Sequence, residues 1–329
     1  MNIVVVTTPN DDLKETGFGG LKVCQDFADS VQNIDCVVDV VSVITRNDLL
    51  DIVSTKPDLV VLAVKYISIW DGRDIWLSSF FEHHNINFTG SDMDALEFDS
   101  NKVFAKMRAV SCGLPTAKYF NASPGDYINE ADLPLPFPLF LKPLSAANGN
   151  GVNEKSLVVN IGDYMLKVDS LYDSYKSPVL VEEYLDGREF TVAIIDTQSQ
   201  DLCIAAIEIV PPLSSNGCRI LGEETKSNDS EKLLKIEDDT LKSTLEKLAC
   251  EVYIALGIKG FGRIDIKSNQ DEECFFMEAN LVPGMSAGTS YFPRAFEIEL
   301  GINHNEVIAL MLQSHIAKHV NLEDDLKKS

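Results

Sequence analysis

The sequence predicts an α/β protein in which a small parallel sheet precedes a larger region of mixed, α+β character. The first ninety residues alternate between β-branched strand patterns and helical patterns, at residues 2–8, 21–31, 36–44, 47–54, 58–65 and 74–84. This alternation is typical of parallel strands joined by crossover helices. Near the C-terminal end, two runs of alternating apolar and polar residues flank a polar turn at residues 268–273. That pattern predicts an antiparallel hairpin.

The hairpin contains the pattern that points most directly to function. Its strands read Gly-Arg-Ile-Asp-Ile and Phe-Phe-Met-Glu-Ala-Asn. Side chains two residues apart share one face of a strand, so Arg263 lies with Asp265, and Glu278 lies with Asn280 on the neighbouring strand. Carboxylate and amide oxygens suit a Mg²⁺ ion that also carries phosphate. The alternative is a solvated acidic hairpin with a surface arginine.

Composition and charge limit the classes of protein and partner. The 329 residues, 45% of them apolar, predict two or three lobes. No apolar run reaches the roughly 18 residues of a membrane span, and the chain begins with a strand pattern rather than a signal peptide, so we expect a cytoplasmic protein. Seven cysteines without a Cys-x-x-Cys pair favour reduced thiols. A net charge of −23 argues against nucleic acid and anionic membranes as partners.

Two further segments have patterns that suit nucleotide binding. A strand at residues 139–143 carries Lys142 and leads into a loop of small residues at 145–151, whose backbone N–H groups could lie over phosphates. The alternative is an ordinary flexible connection. Glu182 and Glu189 lie on strand patterns that flank an Asp-Gly turn, where they could accept hydrogen bonds from a ribose or an adenine amino group. As isolated glutamates they would be solvated charges.

Together these segments resemble the ATP-grasp ligases, and most closely the D-alanine:D-alanine ligase family, from about residue 87 to the C-terminus. The resemblance implies an ATP-grasp fold. Residues 1–90 would form a small Rossmann-like domain, residues 91–178 a central lobe and residues 179–329 a C-terminal lobe, with ATP held between the two later lobes.

The resemblance also implies roles for individual residues. Those expected to bind ATP are Lys102, Lys142, Asn148, Gly149, Glu182, Tyr184, Leu185 and Glu189. Asp265, Glu278 and Asn280 would hold two Mg²⁺ ions, with Mn²⁺ as a substitute. Lys226 resembles the lysine of a mobile loop that reaches the γ-phosphate, and residues 214–230 would form a lid.

The chemistry of such an enzyme is the joining of two small substrates, amino acids or small peptides. A substrate carboxylate attacks the γ-phosphoryl group of ATP, and the amine of a second substrate attacks the resulting acyl phosphate. Arg263 and the N–H of Gly284 would stabilise the oxyanion. The Pro-Gly-Met segment that ends at Met285, together with Ser290, resembles the family's segment for the carboxylate of the second substrate.

The chain departs from the family where the family fixes its first substrate. The family's N-terminal glutamate has only Glu15 as a counterpart, its phosphate-loop serine falls at Asn148 and its lid tyrosine falls near Ser227. A His-Gly and Gly-Glu-Asp-Gly motif is replaced over residues 65–73. We therefore expect an altered substrate preference, so that the enzyme is not restricted to joining two D-alanines.

Two other functions stay open on the sequence alone. One is a nucleotide-binding regulatory protein derived from this family without turnover. The other is a nicotinamide-dependent oxidoreductase that uses the glycine-rich loop at residues 17–20, although this loop lacks the full G-x-G-x-x-G spacing. The oligomeric state is not fixed by the sequence, and a homodimer is the state to test first.

Overall fold

The N-terminal part of the chain forms a parallel sheet. The computed structural model describes residues 1–9, 17–31, 36–68, 73–144, 149–197, 201–214 and 217–313. The first elements are β1 (Asn2–Thr7), α1 (Leu21–Val31), β2 (Val37–Ser42), α2 (Arg46–Thr55) and β3 (Leu59–Leu62). The strand order is β2-β1-β3, and both pairings are parallel, so the predicted α/β character is confirmed.

A short hairpin follows this sheet and corrects one predicted helix. Its elements are β4 (Tyr66–Ser68) and β5 (Asp74–Trp76), followed by α3 (Leu77–His83). The helix predicted from residue 74 is wrong in its first turn. The three residues of β5 pair with β4 instead, and the Tyr66 and Trp76 rings pack 5.2 Å apart across the hairpin. Cross-strand aromatic packing of this kind stabilises a strand where local pattern alone favours a helix.

The central part of the chain contributes three α-helices and a four-stranded antiparallel sheet. Its elements are α4 (Met93–Ser100), α5 (Lys102–Ser111), β6 (Tyr119–Ala122), β7 (Leu139–Pro143), β8 (Leu157–Val158), α6 (Ile161–Tyr175) and β9 (Val179–Glu183). The strand order is β6-β9-β7-β8. The predicted lobe boundary at residue 179 is misplaced, because β9 pairs with both β6 and β7. In addition, Ala105 and Ala109 of α5 belong to the same core as Phe276 of the C-terminal sheet.

The C-terminal part forms a five-stranded antiparallel sheet with helices packed against it. Its elements are β10 (Glu189–Asp196), β11 (Leu202–Val210), α7 (Glu223–Ser227), β12 (Lys232–Lys235), α8 (Asp239–Ala255), β13 (Phe261–Ser268), β14 (Cys274–Asn280) and α9 (Tyr291–Leu300). The strand order is β12-β11-β10-β13-β14. The predicted hairpin is β13 and β14, and Asp265 lies directly opposite Glu278 as expected.

The Asp-Gly turn between Glu182 and Glu189 connects two sheets rather than two paired strands. β9 ends the central sheet and β10 begins the C-terminal one. The two sheets therefore face each other across the segment that carries these glutamates. No helix in the described residues is long and apolar enough to cross a membrane. The seven cysteines, all within the described residues, form no disulfide, and Cys112 is exposed.

Candidate active site

A cavity lies between the central and C-terminal sheets and brings together most of the predicted nucleotide-binding residues. The predicted residues that line it are Lys102, Lys142, Gly149, Glu182, Tyr184, Leu185, Glu189, Lys226, Asp265 and Glu278. They come from β7, β9 and β10, from the α5 N-terminus, from α7, from the β13–β14 hairpin and from the segments that follow β7 and β9. Asn148 lies outside the described residues.

A buried carboxylate joins two lysines at the floor of this cavity. Glu182 is 1% exposed, and its oxygens lie 2.6 Å from Nζ of Lys106 and 2.7 Å from Nζ of Lys142. Burial favours the neutral acid, but the two lysines outweigh it and lower the pKa of Glu182. Burial lowers the pKa of Lys106, whereas for Lys142 the attraction of Glu182 and Glu278 overcomes burial and raises the pKa.

Lys106 also ties this cluster to the C-terminal sheet. It is completely buried and donates a hydrogen bond of 2.7 Å to Oγ1 of Thr116, which donates one of 2.7 Å to the carbonyl of Phe276. Phe276 lies on the strand that carries Glu278. Sequence reasoning missed Lys106, although its spacing of four residues from Lys102 on α5 places both on one helix face.

One end of the cavity suits a flat ring with a ribose beside it. The Tyr184 ring stacks on Phe140 with centroids 6.3 Å apart and planes at 25°, and Nζ of Lys267 lies 5.9 Å from the Tyr184 centroid. Burial, with smaller effects from Cys218 and nearby acids, raises the pKa of Tyr184 to about 12. Lys267 also pairs with Glu189 at 3.3 Å, and Leu185 is buried beside them.

The other end of the cavity is strongly cationic around Glu278. Its Oε2 lies 3.4 Å from Nζ of Lys102. Burial opposes ionisation, yet the pKa of Glu278 is lowered because Lys102, Lys142, Lys226 and Arg263 all attract the charged form. Lys142 also pairs with Glu182 and Arg263 with Asp265, but Glu182 is shared with Lys106, so three carboxylates face five cations. The surplus of positive charge suits a polyphosphate.

Asp265 is held by donors from three neighbours. Arg263 donates from both Nε and an η nitrogen at 2.9 Å, Thr191 donates from Oγ1 at 2.7 Å, and Nδ2 of Asn280 lies 3.1 Å away. No group of three or more His, Cys, Asp or Glu side chains in the described residues is placed to hold a metal ion. Asp265, Glu278 and the amide of Asn280 nevertheless form a set of hard oxygen donors that fits Mg²⁺ when phosphate and water supply its other ligands.

The predicted lid contacts the end of the predicted phosphate loop, the loop of small residues at 145–151. The N–H of Glu223 donates to the carbonyl of Val152 at 3.1 Å, and its carboxylate accepts from the N–H of Gly151 at 3.2 Å. A Cβ on Gly222 would lie 2.5 Å from the Val152 carbonyl oxygen, so this close approach requires glycine. The docked lid leaves only about 100 Å³ in the cavity, well below the roughly 300–1,000 Å³ of ordinary ligand pockets. Residues of the predicted lid therefore narrow this cavity.

A second cavity of about 360 Å³ lies beyond Lys226 and Arg263. Both side chains line it, together with Asn280, Gly284 and Ser290. The second cavity thus brings the predicted oxyanion donors to the predicted carboxylate-binding segment.

The walls of the second cavity correct two expectations. The glycine-rich loop at residues 17–19 borders this cavity rather than the cavity that holds the predicted nucleotide-binding residues. Met285 does not line the cavity, since its side chain is 1% exposed in the core, while its N–H donates to the carbonyl of Phe18. Glu15 lies outside the described residues.

Two further residues of this cavity were not singled out by the sequence. The hydroxyl of Tyr291 donates a short hydrogen bond to Oε1 of Glu231, and both side chains line the second cavity. The Tyr291 ring lies 5.3 Å from the guanidinium of Arg263. Burial and the bond to Glu231 raise the pKa of Tyr291, so it remains a protonated donor at neutral pH. These two residues are 60 positions apart in the chain, which gives no local pattern to detect.

Two facing antiparallel sheets with a lysine-rich cleft and a docked lid define the ATP-grasp class of enzymes. A family model described as the D-ala D-ala ligase C-terminus matches residues 110–313, more than half of the chain. The chain therefore belongs to the D-Ala-D-Ala ligase family, a family of ATP-dependent carboxylate–amine ligases.

Relatives from several bacteria agree with this assignment. The chain is 28% identical over 262 residues to the D-alanine--D-alanine ligase of Aquifex aeolicus, covering 78% of this chain and 82% of the relative. It is 29% identical over 252 residues to that of Marinomonas sp., covering 74% of each.

Solved structures share the fold over almost the whole chain. The D-alanine--D-alanine ligase from Bacillus anthracis complexed with ATP superimposes with a TM-score of 0.74 at 20% identity, covering 98% of this chain and 99% of that one. VanG D-Ala:D-Ser ligase from Enterococcus faecalis superimposes with a TM-score of 0.71 at 20% identity, covering 95% and 99%. The predicted ATP-grasp fold is confirmed.

Proposed function

We propose that this protein joins two amino acids, or an amino acid and a small peptide, through an acyl phosphate formed from ATP. The observation that carries the proposal is the surplus of cations around Glu278, contributed by Lys102, Lys142, Lys226 and Arg263. In a chain with a net charge of −23, Lys102, Lys142 and Lys226 line the first cavity and suit the phosphates of ATP, whereas Arg263 lines the second cavity.

ATP would occupy the first cavity. Its adenine fits beside the stacked Tyr184 and Phe140 rings, with Leu185 beneath, and its ribose hydroxyls face Glu189. Glu182 supports the nucleotide site by holding Lys142 in position. Gly149 brings unhindered backbone to the phosphates, and Lys102 and Lys142 supply charge.

Asp265, Glu278 and Asn280 would hold two Mg²⁺ ions. Bound with the nucleotide, Mg²⁺ neutralises charge during phosphoryl transfer and so assists attack by a carboxylate. Asp265 must then exchange at least part of its bidentate contact with Arg263, which frees the guanidinium for the second cavity.

The second cavity would hold the reacting groups. The first substrate places its carboxylate near Lys226 and Arg263, where it attacks the γ-phosphoryl group. The amine of the second substrate then attacks the acyl phosphate carbonyl, while Arg263 and the N–H of Gly284 stabilise the oxyanion and phosphate leaves. The docked lid keeps water away from the acyl phosphate. Ser290, which accepts a hydrogen bond from the N–H of Ser286, would bind the second substrate's carboxylate.

We further propose that the preferred first substrate differs from D-alanine. Asn148 and Ser227 replace a serine and a tyrosine of the family, and residues 65–73 replace its His-Gly and Gly-Glu-Asp-Gly motif. Lys65 of that segment forms a buried ion pair of 3.2 Å with Asp99, so its side chain is directed away from a substrate. A site that loses its hydrogen-bond partners for one ligand favours ligands that satisfy the new groups.

The test is ADP release with Mg²⁺ and ATP against L- and D-amino acids, singly and in pairs, with product mass read out. We expect ADP release that depends on an amino acid and a product heavier than either substrate. ATP binding without ADP release under every pairing would instead support the regulatory alternative. If D-alanine alone gives a kcat/KM at least about tenfold above all others, the altered preference is wrong.

A further inference from the structure

The second cavity is lined by a carboxylate, one oxygen of which has no hydrogen-bond donor among the described residues. Oε1 of Glu231 accepts the hydroxyl hydrogen of Tyr291, whereas Oε2 is buried and has no hydrogen-bond partner among the described residues. Leaving a charged acceptor buried without a donor is costly, and such groups are rare in folded proteins. A donor is therefore expected to arrive with a ligand.

The surroundings indicate which kind of donor this is. Tyr291 orients Glu231 through its hydroxyl and packs its ring on Arg263, so one aromatic side chain separates a carboxylate from a guanidinium. Nζ of Lys226 lies on the same ring, 5.9 Å from its centroid. This wall of the cavity thus presents two cations, Lys226 and Arg263, at the ring of Tyr291, and one carboxylate, Glu231, at its hydroxyl. An α-amino acid, whose carboxylate and ammonium are one carbon apart, matches that pattern of charge.

The chemistry of the reaction indicates which of the two substrates is the amino acid at this wall of the cavity. The amino acid that donates its carboxylate keeps its ammonium charged throughout, whereas the second substrate must present a free amine for attack. A carboxylate that stabilises a cation suits the first and hinders the second. Three acidic side chains line the second cavity, Glu223, Asp229 and Glu231, and among the described residues only Glu231 of these has a buried oxygen without a hydrogen-bond donor.

We infer that Glu231, oriented by Tyr291, binds the ammonium group of the amino acid whose carboxylate is phosphorylated. This inference rests on the proposed ligase function. Glu231 lies immediately before β12 and after the lid helix α7, so binding of this ammonium also connects the first substrate to the lid. Tyr291 acts as a positioning residue, because it reaches the substrate only through Glu231.

The experiment compares Glu231→Gln with wild type on two substrates: the best amino acid from the ADP-release panel, and its deamino analogue, which has hydrogen in place of the ammonium. Glutamine keeps the shape and still accepts from Tyr291, so folding should be preserved, and a thermal unfolding curve checks this. For the amino acid we expect kcat/KM to fall roughly 10- to 100-fold, the usual effect of losing a charged hydrogen bond. For the deamino analogue we expect wild type and variant to differ less than about threefold.

A control variant and the activity of wild type separate the possible failures. Tyr291→Phe should show a smaller loss on the amino acid and none on the analogue, because Glu231 keeps its charge but loses its orienting donor. Equal losses on both substrates for Glu231→Gln would make Glu231 a structural residue and overturn the inference, as would an unchanged kcat/KM for the amino acid. If wild type releases no ADP with any amino acid, the ligase proposal itself fails. An active wild type with an equally active variant would instead refute only the role of Glu231.

Discussion

Replacing Glu182 with glutamine tests whether the nucleotide cavity is built on a buried charge cluster. The change keeps the shape of the side chain and removes the one carboxylate that holds Lys106 and Lys142 at 2.6 and 2.7 Å. Lys142 can turn toward the cavity, since its side chain is 10% exposed, but Lys106 is completely buried and cannot reach water. Removing one partner of a buried ion pair costs about 3–5 kcal/mol, and we expect a loss in that range.

Urea unfolding followed by circular dichroism measures this loss. The matched control is Glu183→Gln, one residue further along, whose carboxylate accepts a hydrogen bond from the N–H of Lys118 in a partly exposed position. A glutamine oxygen can keep that bond, so the control should lose less than about 1 kcal/mol. Saturating Mg·ATP should restore part of the stability of Glu182→Gln, because the phosphates neutralise Lys142. A Glu182→Gln protein within about 1 kcal/mol of wild type would refute this account of the cavity floor.

The remaining predictions concern turnover, the lid and pH. Glu278→Gln should reduce ADP release far more than it reduces the unfolding free energy, and near-wild-type release from a folded variant would contradict the metal assignment. Arg263→Ala should lower kcat roughly 10²- to 10³-fold with ATP affinity unchanged; equal loss of ATP binding would make it a phosphate ligand. Gly222→Ala should lower kcat without changing thermal stability, because its Cβ would meet the Val152 carbonyl at 2.5 Å; unchanged kcat would show that lid docking is not required. Burial and nearby Lys155 lower the pKa of Lys167 to about 8 from 10.5, so the unfolded chain binds more protons between these values. Wild type should therefore gain stability relative to Lys167→Met as pH rises from 8 toward 10, and a constant difference would contradict the shifted pKa.

The sequence was sufficient to predict features that depend on the local periodicity of apolar and polar residues. The β13–β14 hairpin and the pairing of Asp265 with Glu278 follow from alternation on two strands and a short turn, and both are confirmed. The parallel N-terminal sheet follows in the same way from alternating strands and helices.

Features that depend on distant partners were not predictable. The boundary at residue 179 was misplaced because a strand pattern does not say which sheet a strand joins, and β9 finds its partners in β6 and β7. A buried-strand lysine at 142 indicated the need for an acidic partner, but its identity as Glu182, and the presence of Lys106 on the other side, depend on three separate elements. The contact between Glu231 and Tyr291 likewise exists only after folding.

The most direct test of the proposed reaction follows the oxygen atoms of the first substrate. The best amino-acid substrate, labelled with ¹⁸O in its carboxylate, is incubated with Mg²⁺, ATP and the second substrate, and the released phosphate is analysed by mass spectrometry. If the carboxylate attacks the γ-phosphoryl group and the amine then displaces phosphate, one carboxylate oxygen leaves in each phosphate. We predict one ¹⁸O per phosphate, in step with product formed. Phosphate that carries no ¹⁸O while product accumulates would contradict the acyl-phosphate pathway.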